Sequence, residues 1–326
     1  MNLSRVRIRL NNINKNVTKY LSFDSSPIAV DVEDAHDIAH VVRIEDSLSY
    51  RLNPRDISLI KDWNIYAYDE SVQCYNALEG SLIFCSCAVI KMEENAYKFN
   101  LSVLPYFLTS IEKYKTAQCE GVYFAENIRR ERNKILIESK IKAILESVEP
   151  HSIVFIDGPL IGGMASAYMV RMDDKLRRND CIPLYFVKNS DSRLVISNCE
   201  LSKEFNSDFH WASCKLKTGC RSSFFRYIDK QNSMFSKVFT YIKALAGFTQ
   251  RMEMHVQTYE KYKALMPSLL NLVSYFYIVQ GDYTNPQVRP IAIAEKYARE
   301  GLKILNIPVL LSMLGFHPTI NQVRFG

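Results

Sequence analysis

The pattern of apolar and polar positions between residues 64 and 188 predicts an alternation of strands and helices. Runs rich in β-branched and aromatic residues are typical of strands, whereas apolar residues three and four positions apart are typical of helices. The predicted strands cover residues 64–69, 80–92, 96–107, 152–157 and 181–188, and the predicted helices cover residues 125–148 and 163–179. The order β-β-β-α-β-α-β predicts an α/β fold with a mixed sheet flanked by helices.

The same order predicts which strands are neighbours. The first three strands can form an antiparallel meander, and the long helix then acts as a crossover, so residues 152–157 can lie parallel to residues 64–69. These two strands end in Asp157 and Asp69. Because the sites of open α/β sheets gather at the carboxyl ends of parallel strands, both carboxylates are expected at one sheet edge. Glycines after Asp157 allow the backbone to turn tightly there.

A third acid comes from the long predicted helix. The apolar stripe of this helix is formed by Ile128, Ile135, Ile141 and Leu145. On a helical wheel Glu138 lies on the same stripe, where a glutamate is costly unless it is paired or bound to a metal ion. Glu131 lies almost on the same line and is the alternative.

Three converging carboxylates would repel one another and raise their pKa values, and a divalent cation would relieve that repulsion. Oxygen ligands suit Mg²⁺ or Mn²⁺, and two such ions about 4 Å apart could promote phosphodiester cleavage. Alternatively, each aspartate is a turn former or helix cap, and Glu138 pairs with Lys142. This order of strands and acids resembles the ribonuclease H-like nuclease fold.

Composition narrows the class of protein only in part. The chain has 326 residues, 48% of them hydrophobic, which is enough for a large core. The formal net charge of +6 permits a polyanionic partner without requiring one. The eight cysteines include no CxxC spacing, and Cys85 and Cys87 are expected to share one buried strand face. Free thiols and the lack of a long apolar run predict a cytoplasmic protein without membrane association.

Five separated segments, in the same order, resemble motifs of the NurA nuclease family, the partners of the HerA translocase. Together they extend the resemblance over roughly residues 60 to 305. The segments are IYAYDES (65–71), VFIDGPL (154–160), PLYFVKNSDSRLV (183–195), TGCRSSFF (218–225) and RPIAIAEKYAR (289–299).

The resemblance implies a metal-dependent DNA nuclease that acts in DNA end resection and double-strand break repair. It implies Mn²⁺-dependent 5′ to 3′ exonuclease and single-strand endonuclease activity, and a homodimer that docks on a HerA-like hexameric ATPase. Asp69, Glu138 and Asp157 would hold the metal ions. Lys188 would contact a phosphate or orient the water, unless it is a surface lysine.

Two positions depart from the family pattern. Glu70 stands where glycine is usual, and Glu295 stands where a histidine is expected. Glu295 either binds a hard metal or acts as a base, or it is a solvated helix residue. If Glu295 is only a solvated helix residue, an alternative function follows: a catalytically weakened scaffold or DNA-binding subunit of a motor complex.

The domain prediction separates residues 1–60, an N-terminal extension, from a NurA-like nuclease domain at residues 61–326. Within the extension, residues 27–34 predict a short strand and residues 53–63 a turn with a brief helix.

Other polar clusters allow both a functional and a structural interpretation. The HDIAH segment (36–40) has the spacing of helical zinc ligands, but a surface histidine pair is favoured because no third ligand is evident. Basic residues on the two predicted helices either contact a DNA backbone or form solvated faces. They are Arg129, Arg130, Arg132, Lys134, Arg177 and Arg178. Segment 221–227 interleaves arginines with aromatic residues, which either stack on single strands or are core or dimer contacts, and the latter is favoured.

Overall fold

The computed structural model describes residues 39–77, 80–94, 96–112, 115, 121–188, 190–198, 204–230, 232–282 and 285–313. The strand predicted at residues 27–34 lies outside the described residues. No helix in these ranges has the length and hydropathy needed to cross a membrane.

The described ranges contain twelve strands, all in one sheet. They are β1 (Ala39–Arg43), β2 (Ser49–Arg51), β3 (Asn64–Ala77), β4 (Gly80–Met92), β5 (Tyr97–Thr109), β6 (Val122–Phe124), β7 (Ser152–Asp157), β8 (Ile182–Val187), β9 (Cys220–Ser222), β10 (Phe225–Asp229), β11 (Lys237–Lys243) and β12 (Gln250–His255).

Helices cover the sheet on both faces. They are α1 (Ile128–Ser147), α2 (Ser166–Arg178), α3 (Leu194–Asn198), α4 (Asp208–Lys215), α5 (Val256–Lys261), α6 (Met266–Gln280), α7 (Arg289–Ile304) and α8 (Ile307–Met313). Short 3₁₀ turns lie at Ser58–Ile60, Gly163–Ala165 and Lys263–Leu265. The first of these is the brief helix predicted within residues 53–63.

The centre of the sheet has the predicted ribonuclease H-like arrangement. β3, β4 and β5 form an antiparallel meander, and β7 pairs with β3 in parallel. β8 then pairs with β7 in parallel, so the central order is β5-β4-β3-β7-β8. α1 is the crossover before β7 and α2 is the crossover before β8. The predicted fold class is confirmed.

One detail of the predicted strands is wrong. Asp69 does not end its strand, because β3 continues to Ala77 as the antiparallel partner of β4. The parallel pairing of β3 with β7 does stop at this level, where Tyr68 lies opposite Ile156. Asp69 therefore lies where β3 loses one of its two neighbours.

The sheet continues well beyond β8. β12 pairs antiparallel with β8, and β11, β10 and β1 follow in that order. β9 joins β11 and in turn pairs with β2. Residues 39–51 therefore belong to the same sheet as the central strands, while the domain boundary at residue 60 stays a prediction.

One face of the sheet packs on α1 and α2. Tyr68, Val154 and Ile156 from the central strands belong to the same buried cluster as Ile144 of α1 and Leu176 of α2. Cys85 and Cys87 lie in this cluster with their Sγ atoms 3.6 Å apart, which confirms the predicted shared face.

The opposite face packs on α6 and α7. Ala67, Phe155 and Leu184 belong to one cluster with Leu269 of α6 and Ile291 of α7. Since successive strand residues point to opposite faces, β7 is apolar on both, as expected for a central parallel strand.

α7 approaches the sheet closely at one point. A Cβ atom on Gly301 would lie 2.5 Å from Ser86 Oγ and 3.2 Å from a methyl group of Leu101. The glycine therefore allows the helix to pack against β4 and β5 at a distance that any side chain would increase. The same helix carries Glu295.

Candidate active site

Asp69 and Asp157 occupy equivalent positions on two adjacent parallel strands. Each follows directly after the last residue pair of the β3–β7 ladder, Tyr68 and Ile156. Strand alternation directs both side chains to the face that α6 and α7 cover, since Ala67 and Phe155 point there. The register therefore places both acids at the same level of the sheet, one residue past the end of the parallel ladder, although Asp69 lies within its strand and not at its end.

Asp69 is buried, Asp157 is half-buried, and the charge of Asp157 acts on Asp69. Asp69 is only 6% exposed, and its Oδ1 accepts a hydrogen bond of 2.8 Å from the backbone N–H of Glu70. Burial, followed by the charge of Asp157, raises the pKa of Asp69 to about 8. Burial also raises the pKa of Asp157, although the charges of Lys188 and Lys140 oppose that shift. A second proton or a cation therefore stabilises this pair at neutral pH.

Lys188 lies one residue beyond the end of β8 and forms an ion pair with Asp157. Its Nζ is 3.3 Å from Asp157 Oδ1. The residue is half-buried, so the side chain reaches both the carboxylate and solvent. The structure therefore brings Lys188 to Asp157; its contact with a phosphate or with the attacking water stays a prediction.

The predicted orientation of Glu138 is wrong. The residue is exposed on α1, and the buried side of the helix is instead formed by Ile135, Ser139, Lys140 and Ile144. The helix faces the sheet with polar residues because the sheet supplies partners for them. Ser139 Oγ is 2.7 Å from Tyr106 Oη, and Lys140 Nζ is 2.7 Å from the backbone oxygen of Asp157. The alternative, Glu131, pairs with Lys134 at 3.1 Å.

Lys140 is the residue at this site that the sequence analysis missed. It is 8% exposed, and its Nζ lies 3.6 Å from Glu70 Oε2 and 5.0 Å from the centre of the Tyr68 ring. Ser139 and Ile135 can be recognised as part of a buried helix face only when their partners on the sheet are known. The sequence alone therefore contains no signal that separates Lys140 from Lys142.

Glu295 is half-buried on α7 and firmly held. Its Oε2 accepts hydrogen bonds from Gln287 and, at 3.3 Å, from Asn285, and its Oε1 pairs with Arg299. Burial opposes ionisation, but the Gln287 hydrogen bond and the charges of Lys188 and Arg299 outweigh it and lower the pKa of Glu295. Glu295 thus lies within the electrostatic reach of Lys188. Its roles as ligand, base or helix residue stay predictions.

The turn after Asp157 is anchored by buried charges on the added strands. Gly158 adopts a φ of 99°, a region that favours glycine, and its N–H donates to Phe186 O. The N–H of Leu160 donates to Glu253 Oε2 at 3.1 Å. Lys237 Nζ donates to the backbone oxygen of Ile161 at 3.3 Å and pairs with Glu253 at 2.6 Å. β11 and β12 therefore fix the segment that carries Asp157.

The oxygen atoms at this edge of the sheet fit one hard cation. Asp157 Oδ1 and Glu70 Oε2 are buried and, apart from their ion pairs with lysines, have no hydrogen-bond partner among the described residues. Carboxylate oxygens are the ligands that Mg²⁺ and Mn²⁺ prefer. Within the described ranges no three His, Cys, Asp or Glu side chains are placed to hold an ion. Of the two predicted aspartate ligands, Asp157 therefore offers a buried oxygen without a hydrogen-bond partner, Asp69 occupies the matching position of the next strand, and the predicted third acid is missing.

The other predicted clusters have structural partners or lie partly outside the described residues. Of the HDIAH segment only residues 39 and 40 are described, and His40 is exposed on β1. Phe224 and Phe225 are each 1% exposed, and Arg221 pairs with Glu45 at 2.7 Å, so the core interpretation of this segment holds.

The basic residues of the two helices differ in their surroundings. Arg129 and Arg130 are exposed at the start of α1. On α2, Arg177 pairs with Asp173 and Asp174, and Arg178 pairs with Asp174. The α1 cluster is therefore the more available for a nucleic acid backbone.

Comparison with solved structures places this fold among nucleases. The crystal structure of the NurA nuclease from Sulfolobus solfataricus matches with a TM-score of 0.54 and 10% sequence identity, covering 95% of this chain and 97% of that chain. At this identity the likeness shows the fold alone. No family model matches the sequence, and no curated protein matches it.

Two further matches are too distant to support an argument. An endonuclease V from Bacillus subtilis matches at a TM-score of 0.41 and 10% identity, covering 80% of this chain and 88% of that chain. A NurA bound to dAMP and manganese matches at a TM-score of 0.35 and 7% identity, covering 90% and 92%. The strand order and the match to the Sulfolobus solfataricus structure show a NurA-like fold of the ribonuclease H-like class.

Proposed function

We propose that this protein is a metal-dependent nuclease of the NurA type that hydrolyses phosphodiester bonds in DNA. The observation that carries the proposal is the pair formed by the buried Asp69 and the half-buried Asp157, at matching positions of adjacent parallel strands. The pair lies in a fold shared with a NurA nuclease over nearly the whole chain. Ligand sites in open α/β sheets gather at this end of the strands.

Asp69 and Asp157 would hold the ion, Mn²⁺ or Mg²⁺, and their mutual repulsion is the force that favours it. Such an ion supplies the Lewis acidity that phosphodiester hydrolysis requires. Lys188 holds Asp157 in place through the ion pair at 3.3 Å and presents a positive charge where a scissile phosphate would enter. The anchored turn at Gly158 keeps the Asp157 carboxyl group from moving away from Asp69.

The finer parts of the proposal rest on the family resemblance. They are 5′ to 3′ exonuclease and single-strand endonuclease activity, a homodimer, and action with a HerA-like hexameric ATPase in DNA end resection and double-strand break repair. The exposed arginines at the start of α1 support contact with a DNA backbone, and the affinity of such contacts falls as salt concentration rises.

Replacing either aspartate tests the proposal. Asp157→Asn and Asp69→Asn should each lower cleavage of single-stranded and end-labelled duplex DNA in Mn²⁺ by about 10²-fold or more, because each removes a charged ligand. Glu146→Gln, an exposed change on α1, is the matched control and should leave the rate unchanged.

Glu138→Gln distinguishes a site with two aspartate ligands from the predicted site with three acidic ligands. Glu138 is exposed, so the variant should retain its activity, whereas a third metal ligand would make it inactive. Equal cleavage by the wild type and both aspartate variants would show that the nuclease assignment of this site is wrong.

A second candidate function is a catalytically weakened scaffold or DNA-binding subunit that keeps the fold. It is favoured by one observation, the two lysines that already neutralise part of the acidic cluster. Calorimetric titration with Mn²⁺ distinguishes the two candidates. Absence of binding at millimolar Mn²⁺ supports the scaffold, whereas binding that Asp157→Asn abolishes supports the nuclease.

A further inference from the structure

Lys140 is a buried cation in the acidic end of the sheet. The residue is 8% exposed, and its ammonium group donates a 2.7 Å hydrogen bond to the backbone oxygen of Asp157. It also lies 3.6 Å from Glu70 Oε2 and faces the Tyr68 ring at 5.0 Å. Burying a lysine is costly unless its charge is compensated, and all three contacts compensate it.

The position of Lys140 relative to the aspartates is fixed by the alternation of the strands. Asp69 and Asp157 point towards α6 and α7, whereas Glu70 points towards α1, where Lys140 originates. The ammonium group lies close to the Gly158 turn, since a Cβ atom on Gly158 would be in van der Waals contact with Lys140 Nζ at 3.8 Å. Lys140 therefore closes the α1 side of the site from which a third carboxylate would be expected to come.

We propose that Lys140 is the built-in cation of this site and takes the place of a second metal ion. The site then binds one divalent ion, held by Asp69 and Asp157, where two ions would otherwise bind. The inference rests on the proposed nuclease function. The ammonium group neutralises Glu70, so this carboxylate is unavailable as a ligand, and its charge repels a second ion. It also supplies a fixed positive charge next to Asp157, in place of the charge that a second ion brings to two-ion sites.

The test compares Lys140 variants by the binding of Mn²⁺ alone and, separately, by DNA cleavage. Lys140→Gln removes the charge but retains a hydrogen-bond donor for the backbone oxygen of Asp157. We expect calorimetry to give one Mn²⁺ per wild-type chain and about tenfold tighter binding to Lys140→Gln, because a nearby positive charge has been removed. Turnover at saturating Mn²⁺ should fall about 10²-fold in the same variant, because the site loses the positive charge that stands in for a second ion.

Two further variants control for structure. Lys140→Arg keeps the charge and should retain the wild-type affinity for Mn²⁺ and part of the turnover. Lys142→Met, an exposed change two positions away on α1, should change neither quantity. A purely structural role for Lys140 would not produce tighter metal binding together with slower turnover, so this combination is the signature of the proposal.

The outcomes also separate this inference from the proposed function. Two Mn²⁺ ions per wild-type chain, no binding to the wild type, or equal affinity in the wild type and Lys140→Gln would each overturn the role of Lys140. Wild-type protein that binds one Mn²⁺ and leaves all DNA substrates intact would overturn the nuclease proposal, while the affinity change in Lys140→Gln would still support the built-in cation.

Discussion

Lys188 and the two aspartates show how single side chains set the charge of the site. Burial raises the pKa of both acids, and Lys188 is the first of the charges that counteract the shift at Asp157. The same lysine lowers the pKa of Asp69, against the effect of Asp157. A metal ion competes with protons for these carboxylates, so Lys188 should set the lowest pH at which the site binds the ion.

Replacing Lys188 should therefore shift metal binding to higher pH. A neighbouring cation favours the ionised carboxylate, so Lys188→Met raises both pKa values, and the aspartates lose their protons only at higher pH. We expect the pH midpoint of Mn²⁺ affinity, measured by calorimetry, to rise by about one unit. Lys142→Met is the matched control, and an unchanged midpoint in Lys188→Met would show that Lys188 does not influence the pair.

For single residues of the site, the sequence predicts the position correctly where local rules are sufficient. The positions of Asp157 and Lys188 follow from the ends of β7 and β8, which the apolar runs predict. Glu138 and Lys140 could not be assigned in the same way, because both fall within one predicted helix. Which of them is buried depends on the partners that Tyr106 and Asp157 offer from the sheet.

At the scale of elements, the Asp157 turn depends on strands that come much later in the chain. Glu253 of β12 is fully buried and pairs with Lys237 at 2.6 Å and with Arg251 at 2.8 Å. Through Leu160 and Ile161 this cluster holds the backbone immediately after the site. The sequence motif VFIDGPL predicts the turn but contains nothing about the charges that anchor it.

Removing Glu253 should destabilise the protein and loosen this turn. Glu253→Ala leaves Lys237 and Arg251 buried without their shared partner, which should lower the free energy of unfolding by about 3–5 kcal/mol in chemical denaturation. Amide exchange at Leu160 should become faster. Glu260→Ala removes one partner of the exposed Arg226–Glu260 ion pair and should cost under about 1 kcal/mol. Equal losses in the two variants would contradict the anchoring role.

At the scale of the whole molecule, the sequence predicts the central strands but misses the extension of the sheet. β3, β4, β5, β7 and β8 have apolar runs and are joined by hairpins or helical crossovers, so their pairing follows from general rules. β1 and β2 pair with β10 and β9 over long sequence distances, and local patterns do not encode such partners. β10, β11 and β12 are consecutive antiparallel neighbours, but β11 and β12 bury polar residues such as Lys237, Arg251 and Glu253, which hide the apolar pattern of a strand.

The stability of the whole molecule should depend on His255 at the end of β12. Its Nδ1 accepts the backbone N–H of Gln257 at 3.2 Å, which requires an unprotonated nitrogen. Burial, followed by the charge of Arg177, lowers the pKa of His255 to about 4. Between pH 6.5 and pH 4 the unfolded chain therefore binds a proton that the folded chain does not, so stability falls as the pH falls through this range.

We expect the contribution of His255 over this range to be about 1–2 kcal/mol after allowing for solvent screening. His255→Asn keeps a capping acceptor at the start of α5 but does not titrate. The difference in unfolding free energy between the wild type and the variant, measured by denaturation at several pH values, should therefore change in the variant's favour as the pH falls. A difference that is independent of pH would show that His255 is not the group responsible.

The pairing of β1 with β10 has a consequence for how the protein is made. Residue 39 lies opposite residue 229, so the partner of this early strand leaves the ribosome long after the strand itself. Until then its Val41 and Val42 side chains and its backbone N–H groups have no sheet to join, which exposes the nascent polypeptide to wrong associations. The sheet edge at β1 can thus be completed only late in biosynthesis, when the central strands have already emerged.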